Sequence, residues 1–176
     1  MRRKTSQSNE SLTPEELRKK TFARAVKLLA AKPRSIEELR ERLLEGGSTK
    51  SIVEIVISRL REYGYLDDER FAFSYASLKV KQRPIGRRRL ERDLKFKKVD
   101  ANTAGEVLEL VYTETPEDQL IDRAIEKRIR LRGRPKDRKE AKSLFDHLLR
   151  QGFRFELISE RVRAISRTGD DELESD

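Results

Sequence analysis

The chain repeats one phrase three times at a period of roughly fifty residues, and a period of that size limits the folds open to it. Leu39 and Leu43 sit four apart, followed after a turn at Gly47 by Ile52, Val53 and Val56. Leu90 and Leu94 repeat the spacing, with Val99, Ala104 and Leu108 after a break, and Leu144 and Leu148 repeat it again, with a turn at Gly152 and Phe153 before Ile158 and Val162. An amphipathic stretch precedes each phrase: Ala25 to Leu29, Phe71 to Leu78, and Ala124 to Leu131. The unit therefore reads as three short helices. A helical unit that cannot bury its apolar face alone stacks on its neighbours, so the pattern predicts an all-α, elongated tandem array of three three-helix repeats. The repeats are placed at 13–66, 67–114 and 115–166, between a disordered N-terminal tail (1–12) and an acidic C-terminal tail (167–176), both polar and without apolar periodicity.

Composition supports a thin array. Only 35% of residues are hydrophobic and 41% are charged, a high ratio of surface to core. The regular apolar spacing argues against general disorder. No run approaches the eighteen or so apolar residues of a membrane span, and Arg2 to Asn9 lacks the apolar core of a signal peptide, so a cytoplasmic protein is expected. The absence of cysteine excludes disulfides and thiolate chemistry and fits a reducing compartment.

The net charge of +9 is unevenly placed. From Lys79 to Lys98 there are ten basic residues against two acidic ones, and from Lys127 to Lys139 eight against one. Two such blocks at related places in two repeats form a footprint for a polyanion or an acidic protein groove; the alternative is a solvated helix face. The candidate contact residues are Arg83, Arg87, Arg88, Arg89 and Arg92 in the middle repeat and Lys127, Arg128, Arg130, Arg132 and Arg134 in the third. On a helix starting near Gly86, Arg88 and Arg92 share a face opposite Leu90 and Leu94.

Helix punctuation is dense. Thr13, Pro14 and Glu16 supply an N-cap, a first-turn proline and a capping-box partner, and Thr115, Pro116 and Asp118 come close to repeating that opening. Ser35 with Glu38 caps the second helix, and Gly46 with Gly47 ends it in left-handed geometry. Gly64 ends the third; Asp67 and Asp68 cap the fourth; Pro84 and Gly86 break the chain before Arg87; Asp100 caps the helix carrying Val107; Gly133 and Pro135 supply the last break. Nine helices in three trios result.

Catalytic constellations are lacking. His147 is the single histidine, which rules out a serine triad or a two-histidine metal site within one chain and leaves a helix-surface or interhelical role. Gly46 to Lys50 has phosphate-loop ingredients in the wrong order and reads as a helix-breaking turn. Asp67 and Asp68 are adjacent, so their side chains diverge, and capping accounts for them better than a metal or acid/base pair. Neither an enzyme nor a cofactor or metal is expected.

Four phrases resemble the RecX family, regulators of the RecA recombinase: Arg34 to Leu43 (RSIEELRERL), Gly64 to Ala72 (GYLDDERFA), Gly86 to Leu90 with Leu94 (GRRRL), and Phe145 with Leu148 to Phe153 (LLRQGF). They run in order across roughly Arg24 to Ile165. At Lys98 the chain departs from the family pattern, which commonly has glycine before the hydrophobic residue matching Val99. The resemblance implies a non-enzymatic modulator built of tandem three-helix repeats, and a monomer is expected. Such a protein lies along the groove of the RecA filament on single-stranded DNA and modulates, usually by inhibition, ATP hydrolysis, strand exchange and co-protease action. Three stacked trios would extend on the order of 60 to 70 Å, enough to reach more than one filament subunit. The basic blocks fit acidic groove residues, and equally single- or double-stranded DNA directly. The rival reading is a stand-alone helix-turn-helix DNA-binding protein, since Gly-containing turns precede Ser51 and Phe153.

Overall fold

The computed structural model describes the backbone from Leu12 to Leu173 and the side chains from Leu12 to Ile165. Among these residues every regular element is helical: α1 (Pro14–Ala31), α2 (Ile36–Glu45), α3 (Lys50–Glu62), α4 (Asp68–Gln82), α5 (Arg87–Phe96), α6 (Ala101–Glu114), α7 (Glu117–Arg132), α8 (Arg138–Gln151) and α9 (Phe155–Leu173). The six leucines at the head of the repeated phrase, Leu39, Leu43, Leu90, Leu94, Leu144 and Leu148, are all buried. The expected disorder of Met1–Ser11 lies outside the described residues, as do Glu174–Asp176. Residues 167–173, read as tail, instead continue α9. Once a helix is nucleated, each further residue adds a hydrogen bond at little cost, so polar composition alone does not end it.

The described residues divide into two compact units: those up to Ala72 with Lys95–Thr103, and Phe73–Leu94 with those from Ala104 onward. In the first, Ala25, Leu39, Leu43, Val53, Val56, Ile57, Leu60 and Leu66 form the core, with Phe22, Leu28, Leu29, Ile36 and Ile52 packed against it. Thr13 and Glu16 make the full capping box at α1. The Ser35 hydroxyl takes the Glu38 N–H at 3.2 Å, and Asp67 takes that of Arg70 at 2.9 Å. The turn after α2 uses left-handed geometry at Gly47 alone, Gly46 being right-handed. It is a structural turn: Arg24 donates to the Gly46 carbonyl at 3.0 Å, and the Ser48 and Thr21 hydroxyls are 3.0 Å apart.

In the second unit the buried positions include Ile85, Leu90, Leu94, Val107, Leu108, Val111, Leu120, Ile121, Leu148, Phe153 and Ile158. Two apolar stripes are narrower than the sequence suggests. In α4 the buried line is Ala72, Ala76 and Val80, leaving Leu78 54% exposed, and in α7 burial stops at Ile125, leaving Leu131 70% exposed. The opening of α7 also differs. The Thr115 N–H still bonds to Val111 O at 2.9 Å, so Thr115 closes α6, while Pro116 takes the N-cap position without a side-chain cap.

One junction is built twice, once within each unit. In the first, the Ile36 N–H opening α2 donates to the carboxylate of Asp68, the first residue of α4, at 2.9 Å. Ser35, just ahead, donates its hydroxyl to the Lys97 carbonyl at 2.5 Å. In the second, the Arg87 N–H opening α5 donates to the carboxylate of Glu117, the first residue of α7, at 3.0 Å. Gly86, the counterpart of Ser35, donates to Gln151 O at 3.0 Å, and Arg88 N–H donates to Gly152 O at 3.1 Å. Asp68 thus caps α2 and not its own helix. In both junctions the carboxylate opening the next trio satisfies an orphan N–H of the preceding trio's middle helix.

The two junctions differ in chemistry. Glu117 is buried and paired with Arg154 at 2.9 Å, whereas Asp68 faces the negative charge of Asp100. Burial, then the charges of Asp100 and Asp67, raise the Asp68 pKa above the usual 3.8, opposed by the Ile36 N–H and Arg61. Asp100 itself caps α6 as expected, accepting from the N–H groups of Asn102 and Thr103 at 3.0 Å each. The backbone approach at Gly86 is too close for any side chain: a Cβ there would lie 2.2 Å from Phe153 N and from Gly152 C. At the matching turn of the first junction, Lys98 holds a left-handed φ of 60° and pairs its ammonium with Glu41.

Candidate functional site

All ten basic candidates fall in the second unit. In α5, burial of Leu90 and Leu94 turns Arg88 and Arg92 outward on the opposite face, and Arg92 Nε donates back to Arg88 O at 3.3 Å. Arg83, on the turn before α5, is exposed as well. Two neighbours are occupied internally. Arg87 pairs with Glu109 at 2.7 Å, and Arg89 donates to Gln151 Oε1 at 3.0 Å. Both are half-buried, so the structure splits the middle block into an outward trio and two arginines that brace the second junction.

The third-repeat block is also divided. Lys127, Arg130 and Arg132 are exposed on α7, the last two in its final turn, where positive charge complements the helix dipole. Arg134, beyond the α7 terminus at Gly133, lines a shallow cleft with Asp122 and Arg161. Arg128 is half-buried and donates to the Ser143 hydroxyl at 3.4 Å. Partial burial, then the charges of Arg132 and Arg150, lower its pKa below the guanidinium norm. Arg150, absent from the sequence-based list, belongs to this group. Its signal lies in the spacing of Ser143, His147 and Arg150, which share one face of α8. His147 is half-buried, in keeping with an interhelical role. Burial first, then Arg128, Arg150 and Arg132, hold its imidazole below the usual 6.5.

What this arrangement can do is grip anionic groups. Arginine stays charged at all physiological pH values and presents a rigid fork of donors suited to carboxylate and phosphate oxygens. Among the described residues no helix is long and apolar enough to cross a membrane.

Comparison with known proteins agrees with this architecture. The profile described as RecX, first three-helix domain, matches residues 22–60, and that described as RecX, second three-helix domain, matches residues 67–108. The regulatory protein RecX of Chlorobium limicola is 33% identical over 149 residues, covering 84% of this chain and 90% of that one. That of Treponema pallidum strain Nichols is 38% identical over 109 residues, 62% of this chain, and that of Bacillus subtilis strain 168 is 30% identical over 159, 90% of this chain. The chain spans 66% and 60% of the lengths of those two relatives. The crystal structure of RecX from Lactobacillus salivarius superposes with a TM-score of 0.75 at 20% identity, over 89% of this chain and 98% of that one, and so shares the fold. With the two domain profiles in register on the first two helical trios and a relative matched over nine tenths of its length, the chain belongs to the RecX family of regulatory proteins.

Proposed function

We propose that this protein binds along the groove of the RecA filament on single-stranded DNA and inhibits RecA ATP hydrolysis, strand exchange and co-protease action. It acts as a cytoplasmic monomer without catalytic chemistry of its own. The observation that carries the reading is the outward pair Arg88 and Arg92, held opposite the buried Leu90 and Leu94 in a chain of the RecX family. Arg83, Lys127 and Arg130 are exposed cations of the same unit and add to the positive charge available to such a partner. Several modest contacts on one scaffold favour a polymer, which offers repeated sites, over a free subunit.

The helix-turn-helix alternative draws less support. In α3 the residues after the turn bury Val53, Val56, Ile57 and Leu60, which commits that helix to packing. The two readings separate in a titration that follows RecA-driven ATP hydrolysis beside binding to naked DNA. Filament binding predicts inhibition at concentrations well below those needed to coat DNA, whatever the DNA sequence. Tight, sequence-selective duplex binding without effect on RecA would establish the alternative.

A further inference from the structure

We infer that the cleft between α7 and α8 is a binding site for a phosphate group, held by Arg128 and Arg132 with the Ser143 hydroxyl. The cleft measures about 490 Å³, and its lining includes Arg128, Leu131, Arg132, Pro135, Glu140 and Ser143. Arg128 and Arg132 lie four apart on α7; Ser143, His147 and Arg150 follow at four and three on α8. Each set therefore occupies one helix face. The 3.4 Å bond from Arg128 to Ser143 ties the two faces together.

The charges in and beside this cleft are unbalanced, Arg150 standing outside the lining while its charge acts on Arg128. Arg132 and Arg150 make no ion pair among the described residues, and the groups that act on Arg128 and His147 through their charge are all arginines. Glu140, the carboxylate of the lining, is committed to the start of α8: its Oε2 accepts the Lys136 N–H at 2.9 Å, while its own N–H donates to Asp137 at 2.7 Å. Asp146, also on α8, is paired with Lys142 at 3.0 Å. Three guanidiniums held near one another repel, which costs stability unless an anion settles among them. A carboxylate brings one charge and two oxygens and would leave donors unmatched. A phosphate offers more acceptor oxygens, each able to take a charge-assisted hydrogen bond from an arginine fork, and the serine hydroxyl supplies a further donor. The phosphate can come from a nucleic-acid backbone or from a free polyphosphate. This assignment does not depend on the filament reading.

His147 makes the site observable, because its imidazole is the only one in the chain and senses all three arginines. The test follows the His147 proton resonances of the full chain across pH, alone, with inorganic pyrophosphate, and with a short oligothymidylate. An anion in the cleft raises the imidazole titration midpoint. Pyrophosphate acting alone identifies a free-phosphate site, and the oligonucleotide acting at lower phosphate concentration identifies a strand-binding site; both support the assignment. A midpoint unmoved by either ligand overturns it.

A second arm compares Arg128→Gln/Arg132→Gln/Arg150→Gln with the charge-matched Arg18→Gln/Lys27→Gln/Lys32→Gln, changed at exposed positions of α1 and its C-cap. The first should bind the effective ligand at least tenfold more weakly and the second within about twofold of the original, since lost charge-assisted bonds far outweigh a change in screened charge on exposed side chains outside the cleft. Equal losses in both would overturn the site in favour of net charge. RecA inhibition assayed on the same variants keeps the two ideas apart, since either activity can fail while the other persists.

Discussion

Replacing Gly86 by alanine should unfold the second junction. The new methyl carbon would stand 2.2 Å from Phe153 N and from Gly152 C, both backbone atoms that cannot swing aside. Relieving the clash means moving the turn ahead of α5 away from the end of α8. That stretches three hydrogen bonds at once: Gly86 N–H to Gln151 O at 3.0 Å, Arg88 N–H to Gly152 O at 3.1 Å, and Arg87 N–H to Glu117 at 3.0 Å. At about 0.5 to 1.5 kcal/mol for each net bond, partial loss of the three costs about 2 to 3 kcal/mol. For a chain of this length that corresponds to a fall in melting temperature of roughly 5 to 10 °C. Gly105→Ala is the internal control. Gly105 lies inside α6 with nothing within 4 Å of its would-be Cβ, so the substitution should add helix propensity worth about 0.5 to 1 kcal/mol and raise the melting temperature. Thermal and urea denaturation followed by circular dichroism reads both. If Gly86→Ala melts with the original protein, or both substitutions shift stability in the same direction, the close approach at Gly86 is not what joins α5 to the end of α8.

Three further outcomes follow from particular residues. Lys98→Gly should stabilise slightly, because release from the left-handed φ of 60°, worth about 1 kcal/mol, exceeds the loss of an exposed pair with Glu41; Lys98→Ala, which loses the pair and keeps the strain, should destabilise, and the reverse order in urea midpoints would contradict this. The raised pKa of Asp68 means that the folded state holds its proton more tightly than the unfolded chain, so its contribution is full below the ordinary value of 3.8 and is lost as pH rises through the folded value. Asp68→Asn keeps an oxygen for the Ile36 N–H and should therefore gain stability over the original as pH rises above that window; denaturation midpoints that stay parallel across pH would count against it. Arg88→Glu with Arg92→Glu should weaken RecA binding at least tenfold and flatten its salt dependence while the melting curve stays put, whereas Arg87→Glu should lower the melting temperature by breaking the pair with Glu109 and adding a second negative charge beside Glu117; unaltered inhibition by the double reversal across a range of salt would show that the α5 face is merely solvated.

Local signals were legible and distant ones were not. The Thr13–Glu16 capping box, the Ser35 and Asp100 caps and the six buried leucines depend on neighbours three or four positions away, and the chain displays them openly. Asp68 looks like a local cap in sequence, but its partner, the N–H of Ile36, lies 32 residues back. Thr115 imitates a helix start, yet its N–H belongs to the last turn of α6. The basic blocks were visible as charge runs, but their division was not. Arg87 and Arg89 look like Arg88 in sequence, and only partners 22 and 62 positions away, Glu109 and Gln151, take them out of the free surface. Arg150 lies outside both charge runs, and only the packing of α8 on α7 brings its charge to bear on Arg128.

Electron microscopy of RecA filaments on single-stranded DNA, with and without this protein, tests the central claim most directly. The account predicts additional helical density following the filament groove, with the α5 face carrying Arg88 and Arg92 turned towards the filament wall, and loss of that density when both arginines are reversed to glutamate. Filaments indistinguishable from bare ones at concentrations that inhibit ATP hydrolysis, or density confined to filament ends, would contradict it.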